Sequence, residues 1–154
     1  MNIPILVLHG PNLDQLGRRP AQHYGNLNLP ELERYCQEHA AVLGLQVHCF
    51  QSNHEGALIE RLHQSLEDGT AGLLINAGAY THTSLALADA LELVSYPVIE
   101  VHLSHVHARE PIRHVSLLSP HVEGCISGLG PLGYALGLQA LSQMLSQTKE
   151  APRS

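Results

Sequence analysis

Five short apolar segments, separated by stretches with helical periodicity, constrain the fold of this chain more than any other feature. The segments are residues 3–8, 45–50, 71–75, 97–103 and 122–127. Short runs rich in Val, Ile and Leu are typical of strands that are buried on both faces of a sheet. Because these predicted strands alternate with helices, the pattern predicts a parallel sheet with right-handed crossovers and helices on both faces.

The stretches between the strands carry helix signals. Asn28 is expected to cap the first helix, with Pro30 in its first turn. Residues 52–55 read Ser-Asn-His-Glu, a capping-box pattern, and Thr81 or Thr83 is expected to cap the next helix. The final helix is predicted from about residue 131 to residue 147, and its inward face is expected to comprise Leu132, Leu136, Ala140, Met144 and Leu145.

These elements predict a single domain of residues 1–147, followed by a flexible C-terminal tail of residues 148–154. The expected fold class is α/β, a flavodoxin-like, doubly wound sheet of five parallel strands in the order 2-1-3-4-5. In such sheets a ligand binds outside the carboxyl ends of the strands, at the point where the strand order reverses.

Composition narrows the class of protein. Of the 154 residues, 44% are hydrophobic and 14% charged, which is typical of a globular chain. The formal net charge of −6 argues against nucleic acid or an anionic membrane as a partner. We find no apolar run that would span a bilayer and no signal peptide, and therefore expect a cytoplasmic protein. Cys36, Cys49 and Cys125 are then expected to be buried free thiols.

Polar side chains follow three of the predicted strands, at the point where each strand ends. Asn12–Tyr24 follow the first strand, Asn76–Ser84 follow the third, and His102–Arg113 follow the fourth. Because the carboxyl ends of parallel strands meet at one edge of the sheet, we expect these segments to line a common pocket. Loops held by a rigid sheet are where binding and catalytic residues concentrate.

The residue types in these segments suit an anionic substrate with hydroxyl groups. Arginine binds carboxylates through its planar fork, and the candidates are Arg19, Arg109 and Arg113. Neutral hydrogen-bonding groups that suit hydroxyls are Asn12, Asn76, His82 and Ser104. Schiff-base chemistry and a Walker-type phosphate loop are disfavoured, because the one lysine, Lys149, lies in the predicted tail.

Two side chains are candidates for proton transfer. His102 is suited to act as a general acid, and Glu100 is placed to orient it. Tyr24 is either a packed loop tyrosine or a base whose phenolate form is stabilised by Arg19. A metal site built on the three histidines of residues 102–107 is disfavoured, because that segment has no Asp or Cys to complete a ligand set.

Five groups of residues recur together in one known family. They are His9–Leu13 with Leu16–Arg19 and Tyr24-Gly25, then residues 51–56 (Gln-Ser-Asn-His-Glu-Gly), residues 76–84 (Asn-Ala-Gly-Ala-Tyr-Thr-His-Thr-Ser), residues 100–104 (Glu-Val-His-Leu-Ser) and residues 107–110 (His-Ala-Arg-Glu). In this order and spacing they resemble type II 3-dehydroquinate dehydratases. The resemblance covers residues 3–145 and is specific, because five motifs agree at once.

The resemblance implies the flavodoxin-like fold and the dehydration of 3-dehydroquinate to 3-dehydroshikimate. This is the third step of the shikimate pathway, which leads to chorismate and the aromatic amino acids. The family reaction is an anti elimination through an enolate that uses no metal, no cofactor and no Schiff base. Quinate breakdown uses the same step, so a catabolic role stays open, as do a non-catalytic binder of a small carboxylate and a His-dependent metal hydrolase.

The resemblance also assigns roles to residues. Tyr24 would remove the C2 proton, with Arg19 keeping it anionic, and Asn12 would hold a water that stabilises the enolate oxygen. His102, supported by Glu100, would protonate the departing C1 hydroxyl. Residues 18–25 would form a lid. The residues expected to bind substrate are Leu103 and Ser104 at the carboxylate, Asn76, His82 and Arg113 at the ring hydroxyls, and Arg109 near the base.

The family further implies a homo-oligomer, a dodecamer built as a tetramer of trimers, in which Asp89 reaches a neighbouring subunit's site. Several positions depart from the family's usual pattern, among them Asp14, Pro20, His105 and Pro111. Proline directly after Arg19 restricts that arginine towards an extended backbone. We therefore expect these departures to affect lid closure and rate rather than the reaction.

Overall fold

A parallel sheet of five strands forms the centre of the computed structural model, which describes residues 2–24 and 26–150. The strands are β1 (Ile3–His9), β2 (Leu45–Gln51), β3 (Gly72–Asn76), β4 (Val98–His102) and β5 (Gly124–Ser127). They lie in the order β2-β1-β3-β4-β5, and every neighbouring pair is parallel, which confirms the predicted fold class and order. The order reverses between β1 and β3, whose last residues, His9 and Asn76, are paired in register.

Helices cover both faces of the sheet. They are α1 (Ala21–Tyr24), α2 (Leu29–Val42), α3 (Glu55–Ser65), α4 (Tyr80–Thr83), α5 (Leu85–Leu91) and α6 (Leu132–Glu150). Alternate residues of β1 point to opposite faces: Ile5 and Val7 pack under α2 and α6, and Leu6 and Leu8 pack under α3 and α5. None of the helices within the described ranges combines the length and the hydrophobicity needed to cross a membrane.

The predicted helix caps are partly confirmed. Asn28 caps α2, since its Oδ1 accepts the Glu31 N–H at 2.9 Å. The capping-box prediction is wrong, because Ser52 Oγ accepts the His54 N–H at 3.0 Å and α3 begins after His54. The cap of α5 is Ser84 rather than Thr81 or Thr83, and its Oγ accepts the Leu87 N–H at 2.9 Å.

The predicted inward face of helix α6 is confirmed in part. Ala140, Met144 and Leu145 pack against the core, but Leu132 and Leu136 are 51% and 37% exposed, so their predicted inward orientation is wrong. Glycines mark the true face, since a Cβ built on Gly137 would lie 2.5 Å from the Leu74 side chain. The fully buried side chains of this helix are those of Tyr134, Leu138 and Leu141.

The C-terminus and the cysteines also differ from expectation. Helix α6 continues to Glu150, so residues 148–150 are helical rather than part of a frayed tail, and residues 151–154 lie outside the described ranges. Cys36 is buried and Cys49 half-buried, but Cys125 is exposed. The prediction of three buried thiols is therefore wrong at Cys125, because β5 is an edge strand of the sheet.

The loops after β1 and β3 touch each other backbone to backbone. The Gly10 N–H donates to the Asn76 carbonyl oxygen at 2.8 Å. A Cβ built on Gly10 would lie 2.2 Å from the Ala77 carbonyl oxygen, far inside any real contact. Glycine is therefore required at position 10. The close approach fixes the backbone of the two segments that follow β1 and β3 relative to each other.

Candidate active site

The three polar segments meet in one pocket at the carboxyl edge of the sheet, as the sequence predicts. Two predicted site residues do not line it: Glu100 lies behind His102, and Asp89 is exposed on α5. The role of Asp89 in a neighbouring subunit stays a prediction. The predicted residues that line the pocket are Asn12, Arg19, Tyr24, Asn76, His82, His102, Leu103, Ser104, Arg109 and Arg113.

Tyr24 reaches the pocket from α1, a helix of four residues that begins directly after Pro20. The Pro20 carbonyl accepts the Tyr24 N–H at 3.2 Å, so this proline starts the helix instead of disrupting the segment. Gly25, the last residue of the predicted lid, lies outside the described ranges. The effect of Pro20 on lid closure stays a prediction.

Two guanidinium groups hold the phenolic oxygen of Tyr24. Arg19 Nη2 donates to this oxygen, and Arg109 Nη1 donates to it at 2.7 Å. The Arg19 guanidinium carbon also lies 3.7 Å from the centre of the Tyr24 ring. The side chain of Tyr24 is 7% exposed, so the two guanidinium groups meet its oxygen in a poorly solvated place. Hydrogen bonds from charged donors are stronger than those between neutral groups, so this oxygen is firmly held in the pocket.

The arginines of the pocket are crowded. Burial lowers the pKa of Arg19, and the charges of Arg109 and Arg113 lower it further, whereas Tyr24 raises it. Glu110 offsets part of this repulsion, since its Oε2 accepts a hydrogen bond from Arg113 Nε at 2.8 Å. An anionic ligand would relieve the remaining repulsion, so the pocket is suited to a carboxylate.

His102 and Glu100 form a buried pair on β4. Residues two apart on a strand share a face, which brings the two side chains together without any bend of the chain. Glu100 Oε2 lies 2.7 Å from His102 Nε2, and Ser116 Oγ donates to Glu100 Oε1 at 2.7 Å. Burial by itself would raise the pKa of Glu100, but hydrogen bonds from His102, Ser116 and Cys125, with the charge of His102, hold it below its usual range. Because a carboxylate only accepts, Nε2 carries a hydrogen and Nδ1 is left for the pocket.

Asn76 is oriented by a tyrosine that the sequence analysis missed. Asn76 Nδ2 donates to the Tyr134 hydroxyl at 2.9 Å, and Asn76 Oδ1 accepts the Gly78 N–H at 3.2 Å. These contacts fix the amide and leave one N–H of Nδ2 for a ligand. Tyr134 is fully buried, and burial raises its pKa, so its hydroxyl stays neutral. In the sequence Tyr134 is one aromatic residue in an apolar helix, and nothing nearby indicates its partner.

The Tyr134 hydroxyl also lies 3.1 Å from Nε2 of His9, the last residue of β1. His9 is fully buried, and within the described residues its Nδ1 has no hydrogen-bond partner. Burial lowers the pKa of His9 from 6.5 to about 4. A charged ring would leave a cationic donor unpaired in the core, so the folded state keeps this histidine neutral.

We predict that His9 makes stability depend on pH. The unfolded chain takes up a proton near pH 6.5 and the folded chain only near pH 4, so the stabilisation is fully present above pH 6.5 and is lost as pH falls to about 4. The loss is about 3 kcal/mol for a shift of this size. Urea unfolding across this range is expected to give a flatter dependence for His9→Gln. Parallel curves for the two proteins would contradict this, and His48→Gln, which changes an exposed histidine, is the control.

His82 and Asn12 are held by loop contacts. His82 Nδ1 donates to the Val115 carbonyl at 2.8 Å, so in the neutral ring Nε2 is an acceptor available to a ligand hydroxyl. Asn12 has φ 68°, and its N–H donates to Asn53 Oδ1 at 2.9 Å. Asn53 is therefore a supporting residue that the sequence did not distinguish from an ordinary loop residue.

One group of side chains has the composition of a metal site. Donor atoms of Glu100, His102 and Cys125 lie within 4.8 Å of one another. The histidines expected to accompany His102 are elsewhere: His105 and His107 are both exposed. The third donor comes instead from β5, which lies outside the segment of residues 97–113 and is paired with β4.

Comparison with known proteins identifies a family whose members resemble this chain. The model of the family described as dehydroquinase class II matches residues 3–142. The 3-dehydroquinate dehydratase of Chelativorans sp. is 54% identical over 142 residues, which are 92% of this chain and 97% of that protein. The 3-dehydroquinate dehydratase 1 of Agrobacterium fabrum is 49% identical over 140 residues, 91% of this chain and 96% of that protein.

Solved structures agree with the sequence comparison. The type II dehydroquinase of Propionibacterium acnes has a TM-score of 0.89 and 43% identity, covering 93% of this chain and 98% of that one. A 3-dehydroquinate dehydratase-like protein of Bifidobacterium longum has a TM-score of 0.71 and 33% identity, covering 94% and 98%. The chain therefore belongs to the class II dehydroquinase family.

Proposed function

We propose that this pocket dehydrates 3-dehydroquinate to 3-dehydroshikimate and water by anti elimination through an enolate. Family membership supports the reaction. The observation that carries the assignment of residues is the Tyr24 hydroxyl, which accepts hydrogen bonds from Arg19 and Arg109 in the pocket that also holds His102.

The first step is removal of the C2 proton by Tyr24. This proton is adjacent to the C3 ketone, so its loss places negative charge on the ketone oxygen as an enolate. Arg19 and Arg109 favour the phenolate form that accepts the proton. Asn12, at the rim of the pocket, holds a water against the enolate oxygen, which lowers the energy of the charge that develops there.

The second step is loss of the C1 hydroxyl, which leaves as water once His102 protonates it. The proton comes from Nδ1 of the imidazolium, because Nε2 is engaged with Glu100 at 2.7 Å. The electron pair of the enolate forms the C1–C2 double bond, and the C3 ketone is restored. Glu100 is a positioning residue in this scheme, since its contact is with His102.

The remaining pocket residues bind the substrate. Leu103 and Ser104, 5% and 6% exposed, follow β4 directly, and their backbone N–H groups bind the substrate carboxylate. The oriented amide of Asn76 and Nε2 of His82 bind ring hydroxyls together with Arg113. Arg109 contacts both Tyr24 at 2.7 Å and Ser104 Oγ at 3.5 Å, which links the base to the carboxylate site.

The reaction is tested by following the enone absorbance of the product after 3-dehydroquinate is added to purified protein, with and without EDTA. We expect absorbance to rise and the chelator not to reduce it. Loss of activity with EDTA would favour a metal hydrolase-type site. Binding of 3-dehydroquinate in a calorimeter without a rise in absorbance would favour a non-catalytic carboxylate binder.

We also propose a cytoplasmic dodecamer, a tetramer of trimers, in which Asp89 reaches a neighbouring site. Asp89 and Leu85 lie four residues apart on α5, and Leu85 is 67% exposed. Beside the pocket, Ile112 and Val115 are 72% and 66% exposed, which is typical of surfaces buried by association. Sedimentation analysis of wild type and Asp89→Ala tests this, and a fully active monomer would contradict it.

The dehydration of 3-dehydroquinate can serve biosynthesis or quinate breakdown, and we favour biosynthesis.

A further inference from the structure

We propose that Glu100, His102 and Cys125 form an inhibitory binding site for a soft divalent cation, specifically zinc(II). Glu100 and His102 belong to the mechanism above, but Cys125 has no part in it. The proposed function is needed only for the inhibitory consequence, because binding of the cation is measured separately.

The three donor atoms come from two neighbouring strands. Glu100 and Cys125 are paired in register across β4 and β5, so their side chains lie side by side. Glu100 Oε2 is 2.7 Å from His102 Nε2 and 3.5 Å from Cys125 Sγ. In tetrahedral zinc sites the ligand atoms are separated by roughly 3.3–3.6 Å, as follows from bond lengths of about 2.0–2.3 Å. The Cys–Glu separation already fits, and the Glu–His contact must open by roughly 0.6 Å.

The cation can reach these donors from solvent. A cavity of about 130 Å³ lies on the side of His102 that bears Glu100, and its walls include His107, His114 and Cys125. This volume holds several waters, one of which would take the fourth coordination position. Cys125 is exposed as a residue, while its thiol packs against Glu100 at 3.5 Å, and the residue lines this cavity, so an ion in the cavity can reach it.

The charges of the ligands favour a divalent ion, although the ion must compete with the thiol proton. Burial of the thiol, with the adjacent Glu100 carboxylate, raises the pKa of Cys125 to about 12, so the thiol is neutral in the free protein. Zinc(II) would displace the thiol proton to solvent and bind one thiolate and one carboxylate, which gives a neutral centre. Thiolate and imidazole are ligands that select zinc over magnesium or calcium.

Occupation of this site would remove the general acid. Metal binding at Nε2 displaces the Nε2 proton, which goes to solvent from the imidazolium or moves to Nδ1 in the neutral ring. His102 then carries a single hydrogen, on Nδ1, and can no longer be an imidazolium. A neutral ring is a much weaker acid, and the carboxylate that supports it is now a metal ligand. Zinc should therefore lower kcat while leaving binding of the substrate carboxylate unchanged.

The experiment compares wild type with Cys125→Ser and the matched control Cys49→Ser, each first treated with chelator and checked by circular dichroism. Cobalt(II) alone is the spectroscopic probe, because a cobalt–thiolate bond gives a charge-transfer band in the near ultraviolet. We expect the band in wild type and Cys49→Ser but not in Cys125→Ser. Zinc chloride alone is the inhibitor, and we expect half-inhibition of Cys125→Ser at a concentration at least about tenfold higher.

Two results would overturn the inference. Absence of the cobalt band in wild type would mean that the donors do not form a site. Equal inhibition of wild type and Cys125→Ser would mean that zinc acts elsewhere, for example at the exposed histidines. If Cys125→Ser does not fold, Cys125→Ala is measured in the same way. Failure of every protein to turn over 3-dehydroquinate would refute the proposed function but leave the cobalt result intact.

Discussion

Replacement of Tyr24 by Phe is expected to lower kcat for 3-dehydroquinate about a thousandfold or more, because it removes the oxygen that we propose takes the C2 proton. Binding is expected to change little. The ring remains in place, still stacked against the Arg19 guanidinium carbon at 3.7 Å, and the groups that hold the carboxylate are untouched. Turnover is measured by enone absorbance. Affinity is measured by calorimetry, which is possible because the slow variant does not consume the substrate during the titration.

Tyr35→Phe is the matched control, since Tyr35 lies on α2 and does not line the pocket. Its activity should equal that of wild type. If Tyr24→Phe kept activity close to that of wild type, Tyr24 would not be the base. A loss of binding equal to the loss of turnover would instead show that the hydroxyl anchors Arg19 and Arg109, which both donate to it.

Replacement of His102 by Ala is expected to lower kcat by about a hundredfold to ten-thousandfold, the range that a general acid supplies. Truncation leaves a space beside Glu100 of the size of an imidazole ring. Added imidazole should enter this space and place one of its nitrogens beside Glu100, where Nε2 of His102 was. It should then restore part of the activity. The measurement is kcat as a function of imidazole concentration.

His105→Ala is the control for this experiment, because His105 is exposed and does not line the pocket. Neither its activity nor its response to imidazole should differ from wild type. A loss of only a few-fold in His102→Ala would refute its role as the acid. A large loss without any rescue would leave His102 as a group that shapes the pocket without transferring a proton.

The sheet was predictable because its signals are local and redundant. Each strand is an apolar run of its own, and the alternation with helices restricts the connections to a few topologies. The pocket was predictable for the same reason, because the residues after β1, β3 and β4 must share one edge. Family motifs suggested roles for Tyr24 and His102, which residue types alone left open and which stay predictions.

What could not be predicted depends on contacts between distant residues. Helix α6 is apolar on most of its surface, so periodicity selected its inner face correctly at Ala140, Met144 and Leu145 but not at Leu132 and Leu136. Gly133 and Gly137 were the usable signal, since both lie against side chains of the sheet. The link from Asn76 to Tyr134 joins residues 58 positions apart, and Cys125 meets Glu100 only through strand pairing. Such contacts are set by packing in the folded chain and produce no recognisable pattern of residue spacing in the sequence.

The backbone contact between Gly10 and Ala77 bears on how this pocket could be engineered for other substrates. Any side chain at position 10 would force apart the loop that carries Asn12 and the chain that follows Asn76 at the end of β3. In a library of variants, position 10 should therefore stay fixed while the polar side chains above it are randomised. Diversity at the pocket would then change which ring substituents are accepted and leave the supporting platform intact.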